Sequence, residues 1–227
     1  VQSGKRLVTI TAVDDRKTRG AYRLYYLFAD EAASSFRVVL LEVAKEDLSF
    51  PSITPVTPAA NRAEREVQDM FGLRASGHPD PRRLVLHENW PDGVHPLRKD
   101  FDPAQHVPKT DGVFTFDKLD RNGMHDIPVG PIHAGIIEPG HFRFQTLGED
   151  VLRLEAQLFY THRGLEKKLE GHMAAEALVL VEQICGVCVA SHSVSFTQAV
   201  EQIAGIHVPQ RVHYLRTIML EMERLYN

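Results

Sequence analysis

Two cysteines are the residues of this 227-residue chain whose type and spacing most directly suggest chemistry. Cys185 and Cys188 stand in the segment Ile-Cys-Gly-Val-Cys, and His192 follows four residues later. Two thiolates three positions apart can reach one metal ion, and Gly186 allows the backbone to turn tightly between them. The pair therefore predicts a thiol site on a short turn.

The spacing of the two cysteines leaves four interpretations open. A zinc site could use His192 as a third ligand, although closed zinc sites take four ligands and the chain has no second cysteine pair. A dithiol redox couple is the second, although such couples usually lie at a strand-to-helix junction and this pair is predicted between two helices. The third is a soft-ligand transition-metal site with its other ligands elsewhere. The fourth is two buried cysteines without chemistry.

Three further segments carry polar side chains that could serve a site. Glu166, in Arg-Gly-Leu-Glu, is either functional or a solvated surface carboxylate. His133 and His141 lie in a segment rich in glycine and proline, and they could be ligands, proton carriers or hydrogen-bonded loop histidines. Mixed charges between residues 64 and 100 suggest either a docking surface or a solvated face with weak ion pairs.

The composition is that of an ordinary globular protein, with 43% apolar residues, 25% charged residues and a formal net charge of −4. These values exclude a disordered chain, a collagen-like chain and a disulfide scaffold. A mildly acidic chain has no electrostatic basis for wrapping nucleic acid, so we expect no nucleic-acid partner. No apolar run approaches the roughly 18 to 20 residues that span a membrane, and no secretory signal is visible. A lone cysteine pair in such a chain indicates cytosolic redox or metal chemistry.

The elements of the first part of the chain predict an α+β domain. Three segments rich in Val, Ile, Leu, Tyr and Phe predict strands, at 6–13, 21–29 and 36–44. Their short polar connections favour an antiparallel meander. A helix follows, with Thr57 at its N-cap, Pro58 at its first position and Gly72 as its stop. Residues 1–102 are therefore predicted to form an antiparallel-rich sheet with helices.

The elements that must position the cysteines lie in the second part. Residues 103–128 are polar and predicted to be a linker, and 129–227 are predicted to form a β-hairpin followed by a mostly helical bundle. The hairpin is placed within 131–147, and helices are predicted at 148–171, 173–184, 190–204 and from 209 onward. The last helix stops without a cap, so we expect the chain to be truncated.

Taken together, these segments resemble two known families. EREVQDMFGL, GHPDPRRLVL and PLRKDF resemble the 30-kDa-type subunit of respiratory complex I. GPIHAGIIEPGHFRF, RGLEKKLEG, EQICGVCVASH and EMERLYN resemble the catalytic large subunit of nickel–iron hydrogenases and its complex I relative, the 49-kDa-type subunit. Their order in one chain is similar to the large subunit of group 4 membrane-associated nickel–iron hydrogenases, such as that of formate hydrogenlyase. The cysteines followed by His192 distinguish the chain from complex I proper, which lacks them.

That resemblance implies a role for each candidate residue. In such hydrogenases four thiolates, from two cysteine pairs, hold a nickel ion bridged to an iron with carbonyl and cyanide ligands. Cys185 matches the terminal nickel ligand and Cys188 the bridging thiolate. Glu166 matches the glutamate that passes protons, and His192 matches a histidine beside the bridging sulfur. The second cysteine pair is absent here, so we expect this oxidoreductase chain to be inactive by itself.

The resemblance also implies partners and a location. We expect a small hydrogenase subunit with an iron–sulfur cluster and other subunits of a membrane-bound complex. We expect a peripheral position on the inner face of the cytoplasmic membrane, without a membrane span of its own. One alternative function is a complex I-like NADH/quinone oxidoreductase subunit without a metal, serving assembly and the quinone module. Another is a small zinc-binding or redox module unrelated to hydrogenases.

Overall fold

The computed structural model describes residues 4–119, 121–133 and 138–227. The chain divides into two compact units, Val1–His162 and Arg163–Asn227. The domain limits at 102 and 129 come from the sequence alone, and they remain predictions. Each unit is described separately below.

An antiparallel three-stranded sheet opens the first unit and confirms the predicted meander. Its strands are β1 (Arg6–Asp15), β2 (Ala21–Asp30) and β3 (Ser35–Ala44), in that order across the sheet. A single helical turn, α1 (Arg16–Arg19), connects the first two. Alternate residues of β2 point into the core, where Tyr22 and Leu24 are fully buried.

The predicted helix lies against this sheet. A 3₁₀ turn at Pro58–Ala60 leads into α2 (Asn61–Phe71), which ends at Gly72 in the left-handed region with φ 70°. Thr57 occupies the N-cap of the turn, but its side chain makes no capping bond and its hydroxyl is buried without a partner among the described residues. Two short strands, β4 (Ser49–Pro51) and β5 (Arg74–Ser76), pair in parallel beside the helix.

The second three-stranded sheet corrects two predictions. It consists of β6 (Met124–Val129), β7 (His141–Leu147) and β8 (Asp150–Gln157), all antiparallel, in that order. The hairpin predicted within 131–147 is therefore misplaced, because the two-residue connection Gly148–Glu149 joins β7 to β8. The helix predicted over 148–171 is wrong over the whole of β8.

Residues 150–157 form a strand and not a helix because a tight turn pairs them with β7 and because the side chains on their buried face are polar. Leu147 pairs with Asp150, and Gly148 adopts φ 60°, so the turn fixes the pairing of β8 with β7. Glu155 is buried, whereas Val151 and Leu154 are more than half exposed. The leucine and valine spacing that imitates a helical stripe therefore lies on the outer face of a strand.

The second unit is helical, as predicted. It contains α3 (Leu165–Leu169), α4 (Ala174–Val181), α5 (Val189–Ala204) and α6 (Gln210–Tyr226). Of the helix predicted at 148–171, α3 is the only helical part within the described residues. Several large apolar side chains of α6 are exposed, among them Tyr214, Leu215, Ile218, Met219 and Met222. In the described part of the chain, no helix has both the length and the apolar character to cross a membrane.

Candidate metal centre

The connection between α4 and α5 carries both cysteines, and we call residues Cys185–Cys188 the cysteine turn. Both thiols are free and half-buried. The turn is closed by a hydrogen bond from the Cys188 amide to the Cys185 carbonyl, 3.3 Å. A hydrogen bond between the two side chains raises the pKa of the Cys188 thiol, with burial as a second cause. The two thiols therefore interact on one short turn, and a metal ion bound to both would displace their protons.

Helix α5 begins directly after the cysteine turn. Cys188 is the N-cap residue, and its side chain makes no capping hydrogen bond. The His192 amide donates to the Cys188 carbonyl at 3.1 Å, and the half-buried His192 lies one turn into the helix. The Cys188 sulfur is thus not used by the helix that it begins.

The structure brings the two thiols together, but not all four candidate residues. Within residues 4–119, 121–133 and 138–227, no group of three or more His, Cys, Asp or Glu side chains is placed to hold a metal ion. His192 and Glu166 therefore do not complete a site with the thiols. Two free thiols on one turn fit the chemistry of a soft transition metal, as two of the four thiolates that the resemblance implies.

The Arg163–Glu166 segment lies at the start of the second unit. Glu166 is an exposed residue in the first turn of α3, which begins after Gly164 with φ 63°. Arg163 reaches the cysteine region, because its guanidinium donates to the Ile184 carbonyl at 2.9 Å. Ile184 immediately precedes Cys185.

Glu223 of α6 and Asn227, which directly follows that helix, also contact this region, and sequence analysis did not single them out. The Glu223 carboxylate accepts the backbone N–H of Ala190 at 2.5 Å. The Asn227 side-chain amide donates to the Val187 carbonyl at 2.6 Å. Both residues stand in EMERLYN, a segment used only to support the resemblance, and their four-residue spacing on one helix face was the available signal.

Comparison with known proteins separates the chain into two families. Residues 2–107 match the family described as Respiratory-chain NADH dehydrogenase, 30 Kd subunit. Residues 163–227 match the family described as Nickel-dependent hydrogenase. The second match begins at the residue where the second compact unit begins. The chain joins a 30 kDa-type segment to a nickel-dependent hydrogenase segment.

Three relatives, each similar to most of this chain, include hydrogenase-type and complex I-type proteins. Hydrogenase-4 component G of Escherichia coli (strain K12) is 43% identical over 94% of this chain and 40% of its own length. Formate hydrogenlyase subunit 5 of the same organism is 40% identical over 100% of this chain and 41% of its own length. The C/D subunit of the NADH-quinone oxidoreductase of Bacteroides fragilis is 30% identical over 92% and 42%. The chain spans about 40% of the length of these relatives, and it is more similar to the two hydrogenase-type proteins.

In the 30 kDa-type segment, two of the charged residues between 64 and 100, Glu64 and Asp69, are buried in internal contacts, whereas others such as Glu66 are exposed. Glu64 is fully buried and accepts hydrogen bonds from Ser52, Ile53 and Thr54, at 2.6–2.7 Å. The buried Asp69 accepts three backbone N–H groups, those of residues 84, 85 and 86, at 2.8–3.1 Å. Burial raises the pKa of Asp69, and these hydrogen bonds act against the rise.

A loop of the same segment covers the end of α2. The His95 ring donates through Nδ1 to the Asp69 carbonyl at 2.8 Å, the Leu97 amide to the Met70 carbonyl at 3.1 Å, and Arg98 to the Phe71 carbonyl at 2.7 Å. These are carbonyls that a helix leaves without internal partners. We call Glu64, Asp69 and the loop His95–Arg98 the α2 network. These residues are therefore neither a docking surface nor a solvated face.

The two remaining candidate histidines lie near β7. His141 donates through Nδ1 to the Gly130 carbonyl at 3.0 Å, as expected of a hydrogen-bonded loop histidine. His133 is exposed, and its ring lies edge-on to Phe142. Residues 134–137 of the segment GPIHAGIIEPGHFRF lie outside the described residues.

Proposed function

We propose that this chain is the N-terminal part of the large subunit of a nickel–iron hydrogenase, which evolves or oxidises hydrogen within a complex I-related assembly. The observation that carries the proposal is the pair of free, half-buried thiols on one turn, in the segment that matches nickel-dependent hydrogenases. The higher identity to hydrogenase-4 and formate hydrogenlyase subunits supports it.

In this proposal each candidate residue has one task. Cys185 and Cys188 would hold a nickel–iron centre whose iron carries carbonyl and cyanide, Cys185 as a terminal ligand and Cys188 as a bridging one. The bound centre supplies soft metal ions for the heterolytic cleavage of hydrogen. Glu166 takes a proton from the site and passes it to solvent, which suits an exposed carboxylate in a first helical turn. His192 adjusts the electron density of the bridging sulfur.

The proposal extends to the partners and the location of the full-length protein. A small subunit with an iron–sulfur cluster exchanges electrons with the centre, and further subunits hold the complex on the inner face of the cytoplasmic membrane. Two thiols supply half of the ligands that the centre takes, so the 227-residue chain alone has no hydrogenase activity. Hydrogen-dependent reduction of methyl viologen by the purified chain would contradict this.

Nickel and iron analysis of the full-length protein tests the main proposal. We expect both metals in the wild type and in Val187→Ala, which changes an exposed side chain of the same turn. We expect neither nickel nor hydrogen-dependent activity in Cys185→Ser and Cys188→Ser. An active complex without nickel would overturn the proposal.

The 30 kDa-type match and the relative of the NADH-quinone oxidoreductase C/D type favour a second candidate, a metal-free complex I-like subunit. In that function the cysteines have no task. Quinone-linked electron transfer would then be unchanged in Cys185→Ser and Cys188→Ser, and the same four proteins decide between the two functions.

A further inference from the structure

The C-terminal turn of α6 supplies the cap that α5 lacks. The first N–H groups of a helix have no partner inside it, and Cys188, as the N-cap residue, does not accept from them. Glu223 does so instead, through its bonds to Ala190 and to Ser191 at 3.1 Å, and it also accepts the Ser191 hydroxyl. A carboxylate at a helix N-terminus is also favoured by the helix dipole.

The charge of Glu223 is suited to this position. The hydrogen bond from the Ser191 side chain, and then those from the Ala190 and Ser191 backbone, lower the pKa of Glu223. The neighbouring His192 lowers it further. Glu223 is therefore ionised at neutral pH. It accepts the N–H groups at the start of α5 that a capping side chain at Cys188 would otherwise accept.

Asn227 lies directly after α6, on the same face and four residues after Glu223. Its side-chain amide donates to the carbonyl of Val187, which stands between the two cysteines. An amide nitrogen is the only part of this side chain that can donate to a carbonyl, so the bond also fixes the amide orientation. One turn of α6 therefore contacts the chain between and after the cysteines.

We propose that Glu223 and Asn227 are positioning residues that hold the cysteine turn with both sulfurs free and facing one metal. Arg163 adds a contact at Ile184, before the first cysteine. A ligand pair held in this way loses less conformational freedom when a metal binds. This inference rests on the proposed function, because it assigns a metal to the turn.

Thiol alkylation of the 227-residue chain tests the inference without any metal. The variant is Glu223→Gln, and Glu221→Gln is the matched control, because Glu221 is on the same helix but pairs with the exposed Arg224. We expect iodoacetamide to modify Cys188 several-fold faster in Glu223→Gln, and at the wild-type rate in Glu221→Gln. Asn227→Ala is the second variant, with the same expected direction, and it decides the alkylation readout because it removes no charge, whereas loss of the Glu223 charge alone would lower the pKa of the Cys188 thiol.

Cadmium titration of the same proteins, followed by thiolate-to-metal absorbance, gives the second readout. Loss of a residue that orients ligands typically weakens metal affinity by about 10- to 100-fold, and we expect a loss of this size in Glu223→Gln and none in Glu221→Gln. All measurements are made where circular dichroism shows the wild-type helix content. A purely structural role would lower the unfolding temperature but leave alkylation and cadmium affinity unchanged, which would overturn the inference.

The two proposals fail separately. If the wild-type chain binds no cadmium through its cysteines, the proposed metal function loses its support, while faster alkylation of the neutral variant Asn227→Ala still upholds the positioning role. If the wild type binds cadmium and both variants match it in both readouts, the positioning role is wrong and the metal function stands.

Discussion

The α2 network and the cysteine turn both lie at helix ends that hydrogen bonds hold in place. They differ in whether side chains remain that could bind a ligand. In the α2 network every named charge or ring is engaged with the backbone: Asp69 with three N–H groups, and His95 and Arg98 with helix carbonyls. At the cysteine turn, Arg163, Glu223 and Asn227 bond to the Ser191 hydroxyl and to backbone groups from Ile184 to Ser191, and not to the thiols. The two thiols remain free and half-buried.

The difference separates structural residues from candidate functional ones. A buried carboxylate that accepts three hydrogen bonds from the surrounding chain stabilises one backbone arrangement. A soft donor on a turn that other residues hold in place is available to a ligand. The comparison predicts large losses of stability in the first region and losses of metal binding, with little change in stability, in the second.

Glu64→Ala is the substitution with the largest expected effect on folding. It leaves the Ser52 hydroxyl, the Ile53 amide and the Thr54 hydroxyl without their acceptor inside the protein. We expect a loss of about 4 kcal/mol in the free energy of unfolding. Urea unfolding measures it, followed by fluorescence of the single tryptophan, Trp90, which packs against the core of the first unit.

Glu66→Ala is the matched control for this prediction. Glu66 is an exposed glutamate of the same helix, so its replacement changes helix propensity and charge in the same way. We expect a change within about 0.5 kcal/mol. Equal losses in the two variants would mean that burial of Glu64 has no special importance.

A smaller effect is expected from pH at Asp14. Burial alone would raise its pKa, but hydrogen bonds from the Arg16 side chain and the Lys99 and Arg16 backbone outweigh burial and lower the pKa to about 2. The ordinary pKa of an aspartate is 3.8, so ionised Asp14 stabilises the fold above pH 4, and the contribution disappears as pH falls from about 4 to 2.

Asp14→Asn isolates this contribution. The difference in unfolding free energy between wild type and variant should be about 2 kcal/mol larger at pH 6 than at pH 2. Urea unfolding at a series of pH values measures the difference, in which the other carboxylates cancel. A difference that does not change with pH would contradict the assignment.

The smallest effect on folding is expected at the cysteine turn. Cys185→Ser and Cys188→Ser replace half-buried, free thiols by a hydroxyl of similar size, so we expect the free energy of unfolding to change by less than about 1 kcal/mol. Cadmium binding should be lost in both. A loss of stability comparable to that of Glu64→Ala would make the thiols structural and remove the contrast between the two regions.

The sequence predicts the elements that depend on local signals. The meander, the end of α2 at Gly72, and helices α4 to α6 follow from strand-rich segments, a left-handed glycine and helical spacing. β8 could not be predicted, because its Val151 and Leu154 imitate a helical stripe while its buried face carries Glu155. Its pairing depends on β7.

In the candidate site, too, the local features could be predicted and the long-range contacts could not. The cysteine turn is visible as two cysteines three residues apart, because both ligands are local. The contacts of Arg163, Glu223 and Asn227 are not visible in this way, because they join residues 21 to 40 positions apart. Likewise, sequence alone predicts Glu64 and Asp69 as surface charges, because their hydrogen-bond donors lie in loops that are distant in sequence.

The most direct test of the metal assignment is X-ray absorption at the nickel edge of the full-length protein. We predict a sulfur-rich shell around nickel in the wild type, and no bound nickel when Cys185 is replaced by serine. Nickel retained in Cys185→Ser with an unchanged sulfur shell would contradict the assignment of the cysteine turn as half of the metal centre.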